Sequence, residues 1–97
     1  MLIKIFDKKI KVMFKNIADY GECDFNKGII YINNDLSKVQ QKHTLMHEIL
    51  HMICNCNVGI KDLSEIQIEH LSLGLMGLLR DNKELIKWLS DKRDKKR

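Results

Sequence analysis

The pattern of apolar and polar residues divides the chain into a strand-forming first third and a helix-forming remainder. Short runs of β-forming residues occur at 2–6, 10–14, 21–25 and 29–33, and turn-forming residues separate the members of each pair. The second pair is joined by Asn26-Lys27-Gly28, in which Asn and Gly both accept a positive φ. The pattern predicts two β-hairpins that together form a short antiparallel N-terminal sheet.

Three helices are predicted after the strands. No Gly or Pro interrupts the residues from Val39 to Cys56, and their apolar positions recur at helical spacing after Ser37, a suitable N-cap. A second long helix is predicted from about Asp62 to Leu79, and a short third helix from Lys83 to about Ser90. Because the strands precede the helices instead of alternating with them, the predicted fold class is α+β.

The first predicted helix carries the pattern H-E-x-x-H at His47, Glu48 and His51. Residues four apart lie on one face of a helix, so both imidazoles can reach a single Zn²⁺ ion with bonds of about 2.0–2.1 Å. Glu48, one step round the helix, then lies beside the metal and can take a proton from a water molecule there. Burying these polar residues in an apolar helix without partners would be costly, which argues against an accidental match.

A catalytic zinc site needs a third protein ligand, and the residues alone leave its identity open. The side chains that could supply it follow the motif in the chain: Cys54, Cys56, Asp62, Glu65, Glu69 and His70. Helical periodicity does not choose among them, because the acidic ones share an arc that also suits a solvated face. The C-x-C pair, alone or with Cys23, is a weak metal-binding signal because free cysteines are commonly small buried hydrophobes.

Composition limits the function classes. The 97 residues are expected to form one domain over 1–90, followed by a charged tail over 91–97. The chain has no signal-peptide pattern, no apolar run of transmembrane length and an odd number of cysteines. A cytoplasmic protein without membrane contact is therefore expected. Part of the net charge of +4 comes from the tail, so nucleic-acid binding has little support.

Further segments accompany the motif: Gly28-Ile-Ile-Tyr-Ile-Asn, then Thr44-Leu-Met-His-Glu-Ile-Leu-His, then Glu69-His-Leu-Ser-Leu-Gly-Leu and Leu79-Arg-Asp-Asn82. Together they resemble small phage-type zincin metallopeptidases related to the ImmA/IrrE group. The resemblance extends from about Gly21 to Trp88, and the H-E-x-x-H motif is its specific part. It implies a minimal zincin-like fold, one Zn²⁺ ion per chain and a phage or prophage origin.

The resemblance also implies roles for individual residues. In that family the two motif histidines and a glutamate of the following helix hold the metal, which points to His47, His51 and Glu69. The strand before the motif helix would be an edge strand that pairs with an extended substrate, and it comprises Ile29, Ile30, Tyr31, Ile32 and Asn33. Independently of the resemblance, two further histidines near the motif and near Glu69, His43 and His70, could support a metal ligand or stabilise an oxyanion.

These observations favour a zinc metallo-endopeptidase that acts on a peptide or protein substrate, with Glu48 as its catalytic base. One alternative is a zinc-stabilised protein of weak or no activity that binds a peptide or another partner. Its metal ligands would be the same as those of the peptidase, so the motif does not distinguish the two. A small basic nucleic-acid-binding protein is a second alternative, supported only by the net charge and the tail. The sequence does not specify an oligomeric state.

Overall fold

The computed structural model describes residues 1–56, 60 and 63–92, and it confirms the α+β fold class. The strands come first: β1 (Leu2–Ile5), β2 (Lys8–Lys15), β3 (Gly21–Asp24) and β4 (Ile29–Asn33). The helices follow: α1 (Lys38–Cys56), α2 (Glu65–Asp81) and α3 (Lys83–Ser90). No helix in the described ranges is long and apolar enough to cross a membrane.

The strands form one mixed sheet in the order β1-β2-β4-β3. Both predicted hairpins are present, since β1 pairs antiparallel with β2 and β3 pairs antiparallel with β4. However, β2 and β4 run parallel, so the expectation of a purely antiparallel sheet is wrong. The parallel pair joins the two hairpins from Lys11↔Ile29 to Lys15↔Asn33. Turn residues specify the pairing within a hairpin, and they carry no information about pairing between hairpins.

The sheet order determines which strand has a free edge beside the helices. β4 is paired on both sides, so the expectation that Ile29–Asn33 is an edge strand is wrong. The parallel pairing with β2 occupies the side that was expected to be open to substrate. The outer strands are β1 and β3, and β3 is the one at the β4 end of the sheet. Within β4, Ile30 and Ile32 are fully buried in the core.

Helix α1 lies across the inner face of the sheet, and its buried residues form a stripe at four-residue spacing. Met52, the C-terminal residue of the stripe, packs in the apolar core with the sheet. Thr44 and Glu48 continue the stripe toward the N-terminus of α1, where both remain only 8% exposed. The buried face of α1 therefore changes from apolar to polar along its length, and the polar part carries the motif.

Helix α2 packs against α1. It begins after Ser64, whose hydroxyl accepts from the N–H of Gln67 while the Gln67 side chain accepts from the N–H of Ser64. This reciprocal capping satisfies two of the N–H groups that a helix start leaves unpaired. Asp62, where this helix was expected to begin, lies outside the described residues, as do residues 93–97 of the tail. The capped start places Glu65 in the first turn of α2, opposite the motif histidines.

Candidate metal centre

The two motif histidines lie side by side on α1. Their Nε2 atoms are 3.3 Å apart, and the rings meet edge to face with centroids 4.9 Å apart. Both rings are partly buried, with 18% of the side-chain surface of His47 and 23% of that of His51 exposed. The helical spacing therefore brings two imidazole nitrogens to one point, as the motif predicts.

Glu65 brings a carboxylate to the same point. Its Oε1 lies 3.1 Å from Nε2 of His47, and its Oε2 lies 2.9 Å from Nε2 of His51. The donor atoms of His47, His51 and Glu65 all lie within 4.8 Å of one another. In a tetrahedral site with bonds of about 2.0–2.1 Å, two ligand atoms stand about 3.3 Å apart. These donors could therefore hold a metal ion. The Glu65 side chain is 75% exposed, so the site opens to solvent on that side.

Glu69 lies on the other side of the His47 ring. Its Oε1 is 3.1 Å from Nδ1 of His47. Glu69 is therefore not part of the potential ligand group of His47, His51 and Glu65. The geometry thus differs from the assignment that the resemblance implied, in which Glu69 was the third ligand. A carboxylate at the second ring nitrogen is the usual partner of a metal-binding histidine, because it fixes the tautomer and the ring orientation.

The other predicted residues divide into those near the site and those away from it. His43 lies close by, with Nε2 buried and 3.3 Å from Oε2 of Glu69, although this nitrogen makes no hydrogen bond within the described part of the chain. His70 is exposed on α2 and does not line the cavity at the site. Cys54 and Cys56 are partly buried free thiols that do not join the group of potential ligands.

Glu48 is held from the sheet side by a residue that the motif does not reveal. The Sγ of Cys23 lies 3.0 Å from Oε1 of Glu48 and 3.3 Å from its carbonyl oxygen. Burial, and then the hydrogen bond to Glu48, raise the pKa of the Cys23 thiol far above its ordinary value, so it stays protonated. Strand alternation places Cys23 on the inner face of β3, but only the packing of β3 on α1 shows what it contacts.

A cavity of about 400 Å³ lies between the start of β3 and the two helices, and it is open to solvent. Its lining includes Tyr20, Gly21, His43, His47, Glu48 and Glu65. Gly21 permits this arrangement, because a Cβ atom there would stand 2.6 Å from Cγ2 of Thr44 and 3.2 Å from Cγ of Glu48. Any larger residue would separate β3 from α1 at the level of the catalytic base candidate.

Among the described residues, no strand pairs with the side of β3 that faces away from β4. The N–H of Asn33 donates to the carbonyl of Tyr20 at 2.8 Å, so the polar groups of Tyr20 face β4. Because these groups alternate along an antiparallel strand, those of Gly21 and Cys23 face away from β4. The Nδ2 group of Asn33 also donates to the carbonyls of Ile17 and Asp19, each at 3.1 Å, and thereby fixes the segment that leads into β3.

A comparison with protein families matches residues 6–76 to the IrrE N-terminal-like domain, Peptidase_M78. The match covers well over half of the 97 residues. The chain belongs to this family. Membership in Peptidase_M78 confirms the resemblance that the motif segments indicated, and the matched region contains His47, Glu48, His51, Glu65 and Glu69. No curated protein and no solved structure gives a significant match.

Proposed function

We propose that this chain is a zinc-dependent peptidase whose metal is held by His47, His51 and Glu65. The observation that carries the proposal is the convergence of three donor groups from an H-E-x-x-H helix and the helix that follows it. The two histidine Nε2 atoms are 3.3 Å apart, and one oxygen of Glu65 lies 3.1 Å from His47 while the other lies 2.9 Å from His51. Membership in a peptidase family supports the same conclusion. Three protein ligands leave one position of a tetrahedral zinc site for water or substrate, as catalysis requires.

Glu69 has a supporting role in this proposal. Its Oε1 would accept a hydrogen bond from Nδ1 of His47, so that Nε2 carries the lone pair that binds the metal. The second carboxylate oxygen lies 3.3 Å from Nε2 of His43, and His43 lines the cavity. His43 is the histidine that we propose to donate to the oxyanion of the tetrahedral intermediate. We do not propose this role for His70, because it is exposed and does not line the cavity.

Glu48 is the proposed general base and general acid. A zinc ion bound at the site would lower the pKa of a water molecule and polarise the carbonyl of the scissile bond. Glu48 would accept the proton of the attacking water and deliver it to the amine that leaves. Its carboxylate lines the cavity beside the ligand group and is otherwise buried, which limits competition from bulk water.

The substrate is proposed to bind as an extended chain along β3. The outward-facing N–H and C=O groups of Gly21 and Cys23 can pair with the main chain of a peptide, which adds a strand to the sheet. This places the peptide at the side of the cavity that contains Gly21 and Glu48. Main-chain pairing gives affinity with little sequence selectivity. The proposal also includes a reducing, cytoplasmic setting, in which the three cysteines remain thiols.

The test combines metal analysis with a hydrolysis assay. Zinc would be measured by elemental mass spectrometry in wild type, His47→Ala and Glu48→Gln, and each protein would be incubated with fluorescein-labelled casein. We expect about one zinc ion per chain in wild type and Glu48→Gln, and little in His47→Ala. Glu48→Gln should lower the hydrolysis rate by at least about 10²-fold, because the proton acceptor is lost.

Two outcomes would overturn the proposal. Absence of zinc from wild type after reconstitution would mean that the ligand group does not bind the metal. Full zinc loading without any difference in hydrolysis between wild type and Glu48→Gln would mean that the site is structural. The chain would then be a zinc-stabilised binding protein.

A further inference from the structure

The inner face of β3 contributes one polar side chain to the site, and the metal group does not account for it. Cys23 points toward α1, where its Sγ lies 3.0 Å from Oε1 of Glu48. The same sulfur lies 3.3 Å from the carbonyl oxygen of Glu48, so the thiol spans the side chain and the main chain of one residue. Cys23 is outside the group of potential ligands formed by the histidines and Glu65.

We propose that Cys23 is a positioning residue that fixes the orientation of the Glu48 carboxylate through a thiol hydrogen bond. The inference rests on the proposed function, in which Glu48 is the general base. It extends that function by proposing that a side chain of β3, the proposed substrate strand, orients the general base. Cys23 does not contact the reacting atoms in this proposal and acts only through Glu48.

The two oxygens of Glu48 have different surroundings. Oε1 accepts from the thiol of Cys23, whereas no other described residue donates a hydrogen bond to Oε2. Because Glu48 is 8% exposed and lines the cavity, its free oxygen is the one available to a water molecule at the metal. Rotation of the carboxylate plane away from this position would break the thiol bond, whereas a half-turn only exchanges two equivalent oxygens and restores it. The thiol therefore favours one plane of the carboxylate before substrate arrives.

Cys23 also connects the base with the proposed substrate strand. Its main-chain groups face the free side of β3, while its side chain faces α1. A peptide that pairs with Cys23 therefore contacts the residue whose side chain holds Glu48. Cys23 therefore connects the register in which the peptide pairs with β3 to the position of the Glu48 carboxylate.

Packing is the simpler explanation for a half-buried cysteine, because Cys23 also contacts the apolar core. Three substitutions separate the two roles. Cys23→Val preserves most of the volume and removes the donor, whereas Cys23→Ser preserves a donor and reduces apolar contact. Cys23→Ala removes both. A packing role predicts that valine is tolerated best, while a positioning role predicts that serine is tolerated best.

The first measurement does not depend on metal or activity. In metal-free Cys54→Ser/Cys56→Ser protein, Cys23 is the only thiol, and its S–H stretching band can be recorded by infrared spectroscopy. We expect a broad band shifted to lower frequency, as for a thiol that donates to a carboxylate. Glu48→Gln should move the band back toward the position of an unbonded thiol. A band at the unbonded position in the Cys54→Ser/Cys56→Ser protein, unchanged by Glu48→Gln, would overturn the inference.

The second measurement uses the zinc-loaded protein and labelled casein. Cys23→Val should lower kcat by about 10-fold or more with little change in KM or zinc content, because misplacing a reacting group slows the chemical step. Cys23→Ser should recover most of kcat. Full kcat in Cys23→Val would also overturn the inference. The two proposals can also fail separately. If the S–H band is shifted but zinc-loaded wild type hydrolyses no casein, the proposed function is rejected and the hydrogen bond remains established.

Discussion

Oε1 of Glu69 lies 3.1 Å from Nδ1 of His47, on the side of the imidazole opposite to the nitrogen that faces Glu65. One histidine is therefore flanked by two carboxylates of the same helix, one turn apart. Of the two carboxylates, the one at Nε2, that of Glu65, also contacts Nε2 of His51. On this asymmetry rests our proposal that Glu65 is a metal ligand and that Glu69 orients one, and the two proposed roles predict different consequences when each residue is changed.

Glutamine substitutions at these two positions should rank differently in zinc affinity. Loss of a partner behind a ligand histidine typically costs about 10–100-fold in metal affinity, so Glu69→Gln is expected within that range. Glu65→Gln should cost more, because it removes a ligand. Competition with a chromogenic chelator would measure both affinities at one pH. A larger loss in Glu69→Gln than in Glu65→Gln would assign the ligand role to Glu69.

Gly21→Ala should destabilise the fold. The new methyl group would stand 2.6 Å from Cγ2 of Thr44, and overpacking of this kind costs about 1–3 kcal/mol in the free energy of unfolding. Urea denaturation would measure the change. Thr44→Ser removes the opposing methyl and retains the hydroxyl, so the double variant should recover part of the loss. If the two substitutions were simply additive, the contact between them would not be the cause.

Ser72→Ala should leave stability unchanged or raise it by up to about 1 kcal/mol. Ser72 is fully buried on α2, and its Oγ has no hydrogen-bond partner among the described residues, so the hydroxyl is desolvated without compensation. Ser64→Ala is the matched control in the same helix. It removes the N-cap and should lower the free energy of unfolding by about 1 kcal/mol. Equal losses in the two variants would show that Oγ of Ser72 makes a stabilising bond.

Stability should decline in alkali in a way that depends on Cys23. Because the pKa of its thiol is raised in the folded chain, the unfolded chain releases this proton first as the pH rises above the ordinary value of 9.0. The unfolded state then binds fewer protons than the folded state, so the free energy of unfolding falls with increasing pH. Urea denaturation below and above pH 9.0 should show a steeper fall in wild type than in Cys23→Val. Parallel curves would contradict the raised pKa.

Local signals were sufficient to predict most of the secondary structure. The H-E-x-x-H helix was expected from Val39 to Cys56 and spans Lys38–Cys56, and the third helix has the expected bounds, Lys83–Ser90. Gly28, one of the two turn residues that were noted as accepting a positive φ, has a φ of 67°. Each of these features depends on residues close in the chain, namely apolar spacing, caps and turn residues.

Relationships between distant elements were not predicted. The parallel pairing of β2 with β4, which moves the free edge to β3, joins two hairpins whose turns do not specify it. The choice between Glu65 and Glu69 depends on how α2 is rotated against α1, and both residues lie on the arc that the sequence marks as polar. The contact between Cys23 and Glu48 spans 25 positions and requires β3 to pack on α1.

The free side of β3 has a consequence for self-association. A strand with unpaired main-chain groups is a surface on which a second copy can add, and proteins that retain one need protection against fibre growth. Glu22 and Asp24 occupy alternate positions of this four-residue strand. Two copies that paired antiparallel along β3 would bring carboxylates of like charge across from one another, which is unfavourable. β3 can therefore remain available to a peptide of different charge, while pairing between the β3 strands of two copies is disfavoured.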